Sequence, residues 1–200
     1  MARVAPVSRE DVPELEDAFA PVEQRMGFLP NSMLTMARRP AVLRAVAELT
    51  QAARTGTVSR ELKELVALVA STATGCRYCQ AHTASNATRT GADTEKIAQV
   101  WSYASSDLFN DAERAALRLA HHASLVPNAA TDEDFEELGR HFDDGEIVEL
   151  MTMIALFGFL NRWNDTLATG LETTPLELAD AVIGPAGWEP GKHTHTPAQV

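Results

Sequence analysis

The sequence predicts an all-α protein, and three observations carry that reading. Only 6% of the residues are aromatic, no stretch sustains polar/apolar alternation over six or more residues, and apolar residues recur throughout at helical spacing. Two hundred residues, 45% of them hydrophobic and 22% charged, fit one globular domain spanning residues 1–200. A chain of this length buries roughly 70% of its unfolded surface, so it needs neither a disulfide framework nor a structural metal to fold.

The helices follow in order. Pro13 suits a first helical turn, and a helix is expected from there to about Arg25, before Gly27. Asn31 or Ser32 caps a short helix that stops before Pro40, which opens the next, running to about Thr55 and closed by Gly56. Ser59 caps the most apolar segment so far. Leu62, Leu65, Val66, Val69 and Ala73 form its stripe, Ala67, Leu68 and Ala70 widen it, and Glu61 sits at its positive dipole end. A helix apolar on nearly all sides is buried, which makes Glu64 in its middle a carboxylate held away from water. Gly75 ends this helix, and Cys76 opens the next, to about Thr90 before Gly91.

Helices are further expected over Asp93 to Tyr103, Asn110 to Leu125, Thr131 to Phe142 and Asp144 to Ala168, the last ended by Gly170. Asn110 with Glu113 reads as a capping box, as do Thr174 and Glu177 at the start of a last short helix. After Gly184, residues 185–200 are rich in Pro, Gly, His and Thr, a tail that is ordered only if the body or a partner subunit holds it. An internal repeat relates 61–79 to 146–164. ELKELVALVASTATGCRYC falls over EIVELMTMIALFGFLNRWN with identities at Glu61/Glu146, Glu64/Glu149, Leu65/Leu150, Ala70/Ala155 and Arg77/Arg162. Asn161 and Asn164 stand where the first copy has cysteines.

Charge and compartment narrow the function. Seventeen Lys and Arg against 28 Asp and Glu give a net charge of −11, which repels nucleic acid and anionic membranes. The N-terminus carries acidic residues where a signal peptide needs an apolar run, and no segment approaches a membrane span, so the expected compartment is cytoplasmic. Both cysteines, Cys76 and Cys79, lie in one C-x-x-C, a spacing that in a reducing compartment points to redox chemistry or metal binding.

A C-x-x-C at a helix N-terminus meets unpaired backbone N–H groups and the positive dipole end, which can depress a thiol pKa from about 8.5 to roughly 3.5–7.5. A thiolate that attacks a peroxide oxygen becomes sulfenic acid, and its neighbour condenses with it to a disulfide and water. His82, three residues past Cys79, shares its helical face and is the candidate base, with Glu64 as the carboxylate that orients it. The competing reading is a zinc pair completed by His82, His121 or His122, or two inert buried thiols. His141 reads as structural or solvent-facing, and His193 and His195 read as tail. No G-x-G-x-x-G follows a strand and no C-x-x-C-H is present, so no flavin, haem or nicotinamide cofactor is expected and electrons come from another protein or a small thiol.

These residues resemble the carboxymuconolactone decarboxylase and AhpD-like superfamily, in its peroxidase-related branch. The family pattern is a Glu, eleven residues, a C-x-x-C and a nearby His. Here it stands as KELVALVASTATGCRYCQAHT, with Tyr78 between the cysteines, and GFLPNSMLTMARRPAVLRA and FNDAERAALRLA extend the similarity over most of the chain. The resemblance implies an AhpD-like helical fold of two related halves, homo-oligomers, and reduction of organic or hydrogen peroxides. It implies Cys79 as the peroxidatic thiolate, Cys76 as the resolving thiol, His82 as the base and Glu64 as its relay partner. AhpD itself places the histidine four residues after the second cysteine, where this chain has Thr83. The family's alternative activity, decarboxylation of a lactone acid, has no use for paired thiols, and a non-catalytic assembly or zinc-binding protein is the third reading.

Overall fold

The computed structural model describes residues 2–194. Ten α-helices are linked by short turns and 3-10 segments, with no strand among the described residues: α1 (Glu16–Met26), α2 (Asn31–Met36), α3 (Pro40–Ala53), α4 (Arg60–Ala73), α5 (Arg77–Arg89), α6 (Thr94–Ala98), α7 (Asp111–Ser124), α8 (Asp132–Leu138), α9 (Asp144–Leu167) and α10 (Thr173–Val182). The expected all-α class holds, and so do most helix starts. The Ser59 hydroxyl accepts from the Leu62 N–H at 3.2 Å. Asn110 and Glu113 cap each other's backbone N–H at 3.0 Å, which completes the box read from sequence.

The core is organised around α4. Every residue from Leu62 to Ser71 is buried, because α4 is packed on by α5, α7 and α9 and so needs apolar residues around its whole circumference. A second, smaller core gathers Leu15, Phe19, Met36, Ala37 and Leu43 from the N-terminal helices against Leu160 and Trp163 of α9. Where the two cores meet, the chain leaves a cleft.

Four expectations are corrected. The helix expected over Asp93 to Tyr103 is α6 followed by a 3-10 turn at Val100–Ser102. The one expected to reach Phe142 stops at Leu138, where Gly139 gives up side-chain packing and its added backbone freedom disfavours further helix. The last helix starts at Thr173 with Glu172 as N-cap and no side-chain cap bond, because the Glu172 carboxylate is committed elsewhere. The left-handed residue that ends α9 is Ala168 (φ 50°), two before Gly170.

The tail is held down by the body as far as the described residues run. Trp188 donates its indole N–H to the Arg77 carbonyl at 3.3 Å, Leu171 N–H bonds the His193 carbonyl at 2.9 Å, and His193 is fully buried. Residues 195–200, including His195, lie outside the described residues. Among the described residues, no helix is long and apolar enough to cross a membrane.

Candidate active site

The break between α4 and α5 creates the site. Gly75 adopts φ +76°, a left-handed conformation that lets the chain leave α4 and start a second helix at once. Cys76 is the N-cap of α5, and its Sγ accepts the otherwise unpaired Cys79 N–H at 3.4 Å. Both thiols are free and buried. The helix-terminal N–H therefore serves Cys76. The Cys79 sulfur instead receives Nδ2 of Asn164 from α9 at 3.6 Å.

Contrary to the depressed thiol expected at a helix N-terminus, burial pushes the Cys79 thiol well up, and the adjacent Cys76 sulfur adds to this, with only Asn164 pulling the other way. Cys79 at rest is a thiol that needs a base to become a nucleophile.

Cys79 forms part of the wall of a cavity of about 520 Å³ at the junction of the two cores. Met33, Met36, Leu43, Val46, Phe157 and Leu160 give it an apolar stretch of wall, Tyr78, His82 and Asn164 line it together with Cys79, and charged side chains such as Arg44 and Glu48 also border it. Cys76 is not among the lining residues, so of the two cysteines it is Cys79 that borders the cavity.

His82 stands in the same wall. Its ring stacks on Tyr78 (centroids 4.3 Å apart, planes at 27°) and meets the edge of Phe28. Its Nε2 lies 2.7 Å from Oε2 of Glu172, at the start of α10. Burial opposes charge on Glu172, but His82 and the Asn31 N–H outweigh it and hold Glu172 below the usual carboxylate range. Tyr78 Oη donates to Glu172 at 3.0 Å, and Asn31 N–H also bonds this carboxylate. Burial, then the Glu172 charge, pushes the Tyr78 hydroxyl well up, so it stays a donor.

Glu64 does not make the expected contact with His82. Its Oε1 accepts from Arg54 Nε at 3.1 Å, and its Oε2 has no hydrogen-bond partner among the described residues. It faces a neighbouring cavity of about 330 Å³ with Arg25, Arg54, Arg60 and Arg89, separate from the apolar pocket although Arg25, Met26, Arg54 and Asn86 border both. Thr83, at the place of the family histidine, is fully buried and bonds the Cys79 carbonyl at 2.8 Å. His121 packs against Trp101, and His122 pairs with Asp134 at 2.7 Å, so neither joins the cysteines.

Sequence reasoning missed Glu172, 90 residues from its histidine, and His193, which lies with Asp165 behind Cys76. One weak signal existed for Asn164: at the repeat offset of 85 it is the counterpart of Cys79, and the two side chains meet.

The profile of the carboxymuconolactone decarboxylase family matches residues 40–122, the segment that carries the C-x-x-C. The chain is 37% identical to the debrominase Bmp8 over 90% of its length and 96% of that protein, with a TM-score of 0.84; one of the Bmp8 structures is a cysteine-to-alanine variant in complex with 2,3,4-tribromopyrrole. The chain belongs to the carboxymuconolactone decarboxylase family, and its fold is AhpD-like. Within it, the alkylhydroperoxidase AhpD core of a peroxidase-related protein from Ralstonia eutropha JMP134 shares the fold, at 23% identity, a TM-score of 0.78, and coverage of 87% of this chain and 94% of that one. YdfG of Bacillus subtilis is 25% identical over 126 residues, 62% of this chain and 84% of YdfG. YnjA of Escherichia coli is 30% identical over 92 residues, 46% of this chain and half of YnjA.

Proposed function

We propose that the protein is a thiol-dependent reductase of apolar organic electrophiles, acting through Cys79 and Cys76. The observation that carries this reading is the placement of the thiols: Cys79 in the wall of an apolar cavity, and Cys76 buried beside it with its sulfur on the Cys79 N–H. His82, oriented by Glu172, takes the Cys79 proton, and Asn164 stabilises the thiolate. Glu64 is left out of the relay.

With an organic hydroperoxide, the thiolate attacks the distal oxygen and the O–O bond breaks. The leaving alkoxide takes the proton from His82, giving an alcohol and a Cys79 sulfenic acid. Cys76 then displaces hydroxide, which leaves as water, and a disulfide forms; a protein or small thiol returns two electrons and two protons. A cavity of about 520 Å³ lined by apolar side chains suits a bulky substrate better than hydrogen peroxide. A reducing cytoplasm suits a free C-x-x-C, and exposed Val148, Ala155 and Phe159 along one face of α9 suit a homo-oligomer.

A second substrate reading draws on Bmp8. The same thiolate can attack the bromine of a brominated heteroaromatic ring, breaking the C–Br bond. The ring carbon takes the proton, and Cys76 displaces bromide from the sulfur. The cavity walls favour a flat apolar ring as readily as an alkyl peroxide. Lactone decarboxylation has no use for a pair of buried free thiols.

The test is turnover with a dithiol reductant on three substrates: cumene hydroperoxide, hydrogen peroxide and a polybrominated pyrrole. We expect consumption of one of the organic substrates at least tenfold faster than hydrogen peroxide, lost on Cys79→Ser. Hydrogen peroxide consumed as fast as both organic substrates would contradict the role given to the cavity, and turnover that survives Cys79→Ser would contradict the mechanism.

A further inference from the structure

A second set of polar groups lies on the side of the cysteine pair away from the cavity. The Cys76 sulfur, an Asp165 carboxylate oxygen and a His193 ring nitrogen all fall within 4.8 Å of one another. Cys76 and His193 are fully buried. His193 Nδ1 lies 2.8 Å from the Thr169 carbonyl, an acceptor only, so Nδ1 carries a proton. Nε2, 3.4 Å from Asp165 Oδ1, is the nitrogen left for exchange. The left-handed turn at Ala168 brings the Thr169 carbonyl to this position, and the chain returns from α10 to insert His193.

We propose that His193, positioned by Thr169 and Asp165, is the proton acceptor that activates Cys76 as the resolving thiol. The inference deepens the proposed function and rests on its assignment of the two thiols. The pair then has two bases, His82 on the substrate side for Cys79 and His193 on the buried side for Cys76. As Cys76 attacks the Cys79 sulfur, its S–H bond breaks and the proton passes to Nε2. The nascent imidazolium faces the Asp165 carboxylate and gives up its proton to the departing hydroxide, which leaves as water; when the disulfide is reduced, the protons that come with the reductant restore the Cys76 thiol. Burial holds His193 below the ordinary histidine range, outweighing the upward pull of the Thr169 carbonyl and of Asp165, with a last, smaller push down from the Lys192 ammonium, so it is neutral and able to accept. The groups around it are Asp165 of α9, Lys192 beside it, Cys76 at the head of α5 and the Tyr78 ring at 6.0 Å.

The same three ligand atoms suit a divalent metal in kind, but the cluster disfavours one. Lys192 Nζ sits 2.7 Å from Asp165 Oδ2, placing a cation where a metal's charge would be repelled, and among the described residues no fourth His, Cys or carboxylate joins the group.

The test bypasses the natural substrate. Fully reduced full-length protein is mixed with 4,4′-dithiodipyridine: Cys79 forms a mixed disulfide and releases one thiopyridone, then Cys76 displaces the second as the Cys76–Cys79 disulfide closes. At pH 7 we expect the first release to change less than twofold in His193→Gln and Asp165→Asn. The second should slow about tenfold in His193→Gln and about threefold in Asp165→Asn, with the His193→Gln defect shrinking by pH 9 as hydroxide replaces the base. A second phase unchanged in both variants, or slowed equally at every pH, would overturn the proposal, as would stoichiometric zinc in wild type that is lost in His193→Gln. If this assay behaves as expected while neither an organic peroxide nor a bromopyrrole oxidises Cys79, the proposed function fails and the role of His193 stands.

Discussion

The segments 61–79 and 146–164 align at one offset, yet one is two helices and the other is one. The first breaks at Gly75, so α5 begins anew with a set of free N–H groups, and a cysteine stands at its cap. The second has Leu160 at that place and runs on as the 24-residue α9. Its Asn161 and Asn164 lie inside the continuous α9, with no free backbone donors to offer, and use their side chains instead: Asn161 Nδ2 bonds the Ala70 carbonyl in the last turn of α4 and Asn164 Nδ2 bonds Cys79. Glycine stands against leucine at the aligned position where the first segment breaks and presents thiols while the second runs on and braces them.

The carboxylates at equivalent positions diverge in the same way. Glu149 crosses to the first half, where it pairs with Lys63 at 2.7 Å and accepts the Thr57 and Val58 N–H groups at 2.9 and 3.1 Å. Any side chain at Gly56 would run into this carboxylate. Glu64 stays within its own half on Arg54. Glu149→Ala should therefore give the largest stability loss, about 3 kcal/mol, because it strands Lys63, which is 1% exposed. The Lys63 hydrogen bond and the two backbone N–H groups hold the Glu149 carboxyl at about 2, against an ordinary 4.5. A carboxyl whose folded pKa is depressed stabilises the fold above its ordinary pKa and loses that contribution as pH falls toward its folded one. The gap between wild type and Glu149→Ala in thermal melts should thus be full at pH 6 and close between about pH 4.5 and 2.

Activity should separate the carboxylates in the opposite sense. Glu172→Gln, which leaves His82 without a carboxylate, should slow Cys79 oxidation about a hundredfold near neutral pH, whereas Glu64→Gln should stay within about threefold. Comparable losses in both would restore Glu64 to the relay. Asn164→Leu removes the side chain that lowers the Cys79 thiol, and should slow oxidation of Cys79 by about tenfold near neutral pH. The smallest effect is expected at the break itself. A Cβ at Gly75 meets nothing within 4 Å, so Gly75→Ala carries only the left-handed backbone strain, about 1–2 kcal/mol in a denaturant melt.

Local signals made the fold legible. Ser59, Asn110 and the glycines that end helices announced most boundaries, and the unbroken apolar character of α4 announced its burial. The C-x-x-C with His82 was equally local and lies in one turn and a half of helix. Glu172 and His193 were not legible. Each is brought to the site by long-range packing of a segment whose own sequence reads as a helix cap or a polar tail, and hydrophobic periodicity says nothing about which carboxylate a distant histidine will meet. Glu64 misled because its register with the cysteines is fixed by helix length, while its direction is fixed by Arg54 on a different helix.

The central claim is that Cys79 meets the substrate and Cys76 resolves it. Its most direct test is mass spectrometry of the reduced protein quenched after one equivalent of cumene hydroperoxide or a polybrominated pyrrole, with Cys76→Ser and Cys79→Ser alongside. The account predicts a Cys76–Cys79 disulfide in the parent with at least one of the two substrates, an oxidised Cys79 trapped in Cys76→Ser, and no thiol oxidation in Cys79→Ser. Oxidation of Cys76 in Cys79→Ser at the parental rate, or two thiols that stay reduced with both substrates, would contradict it.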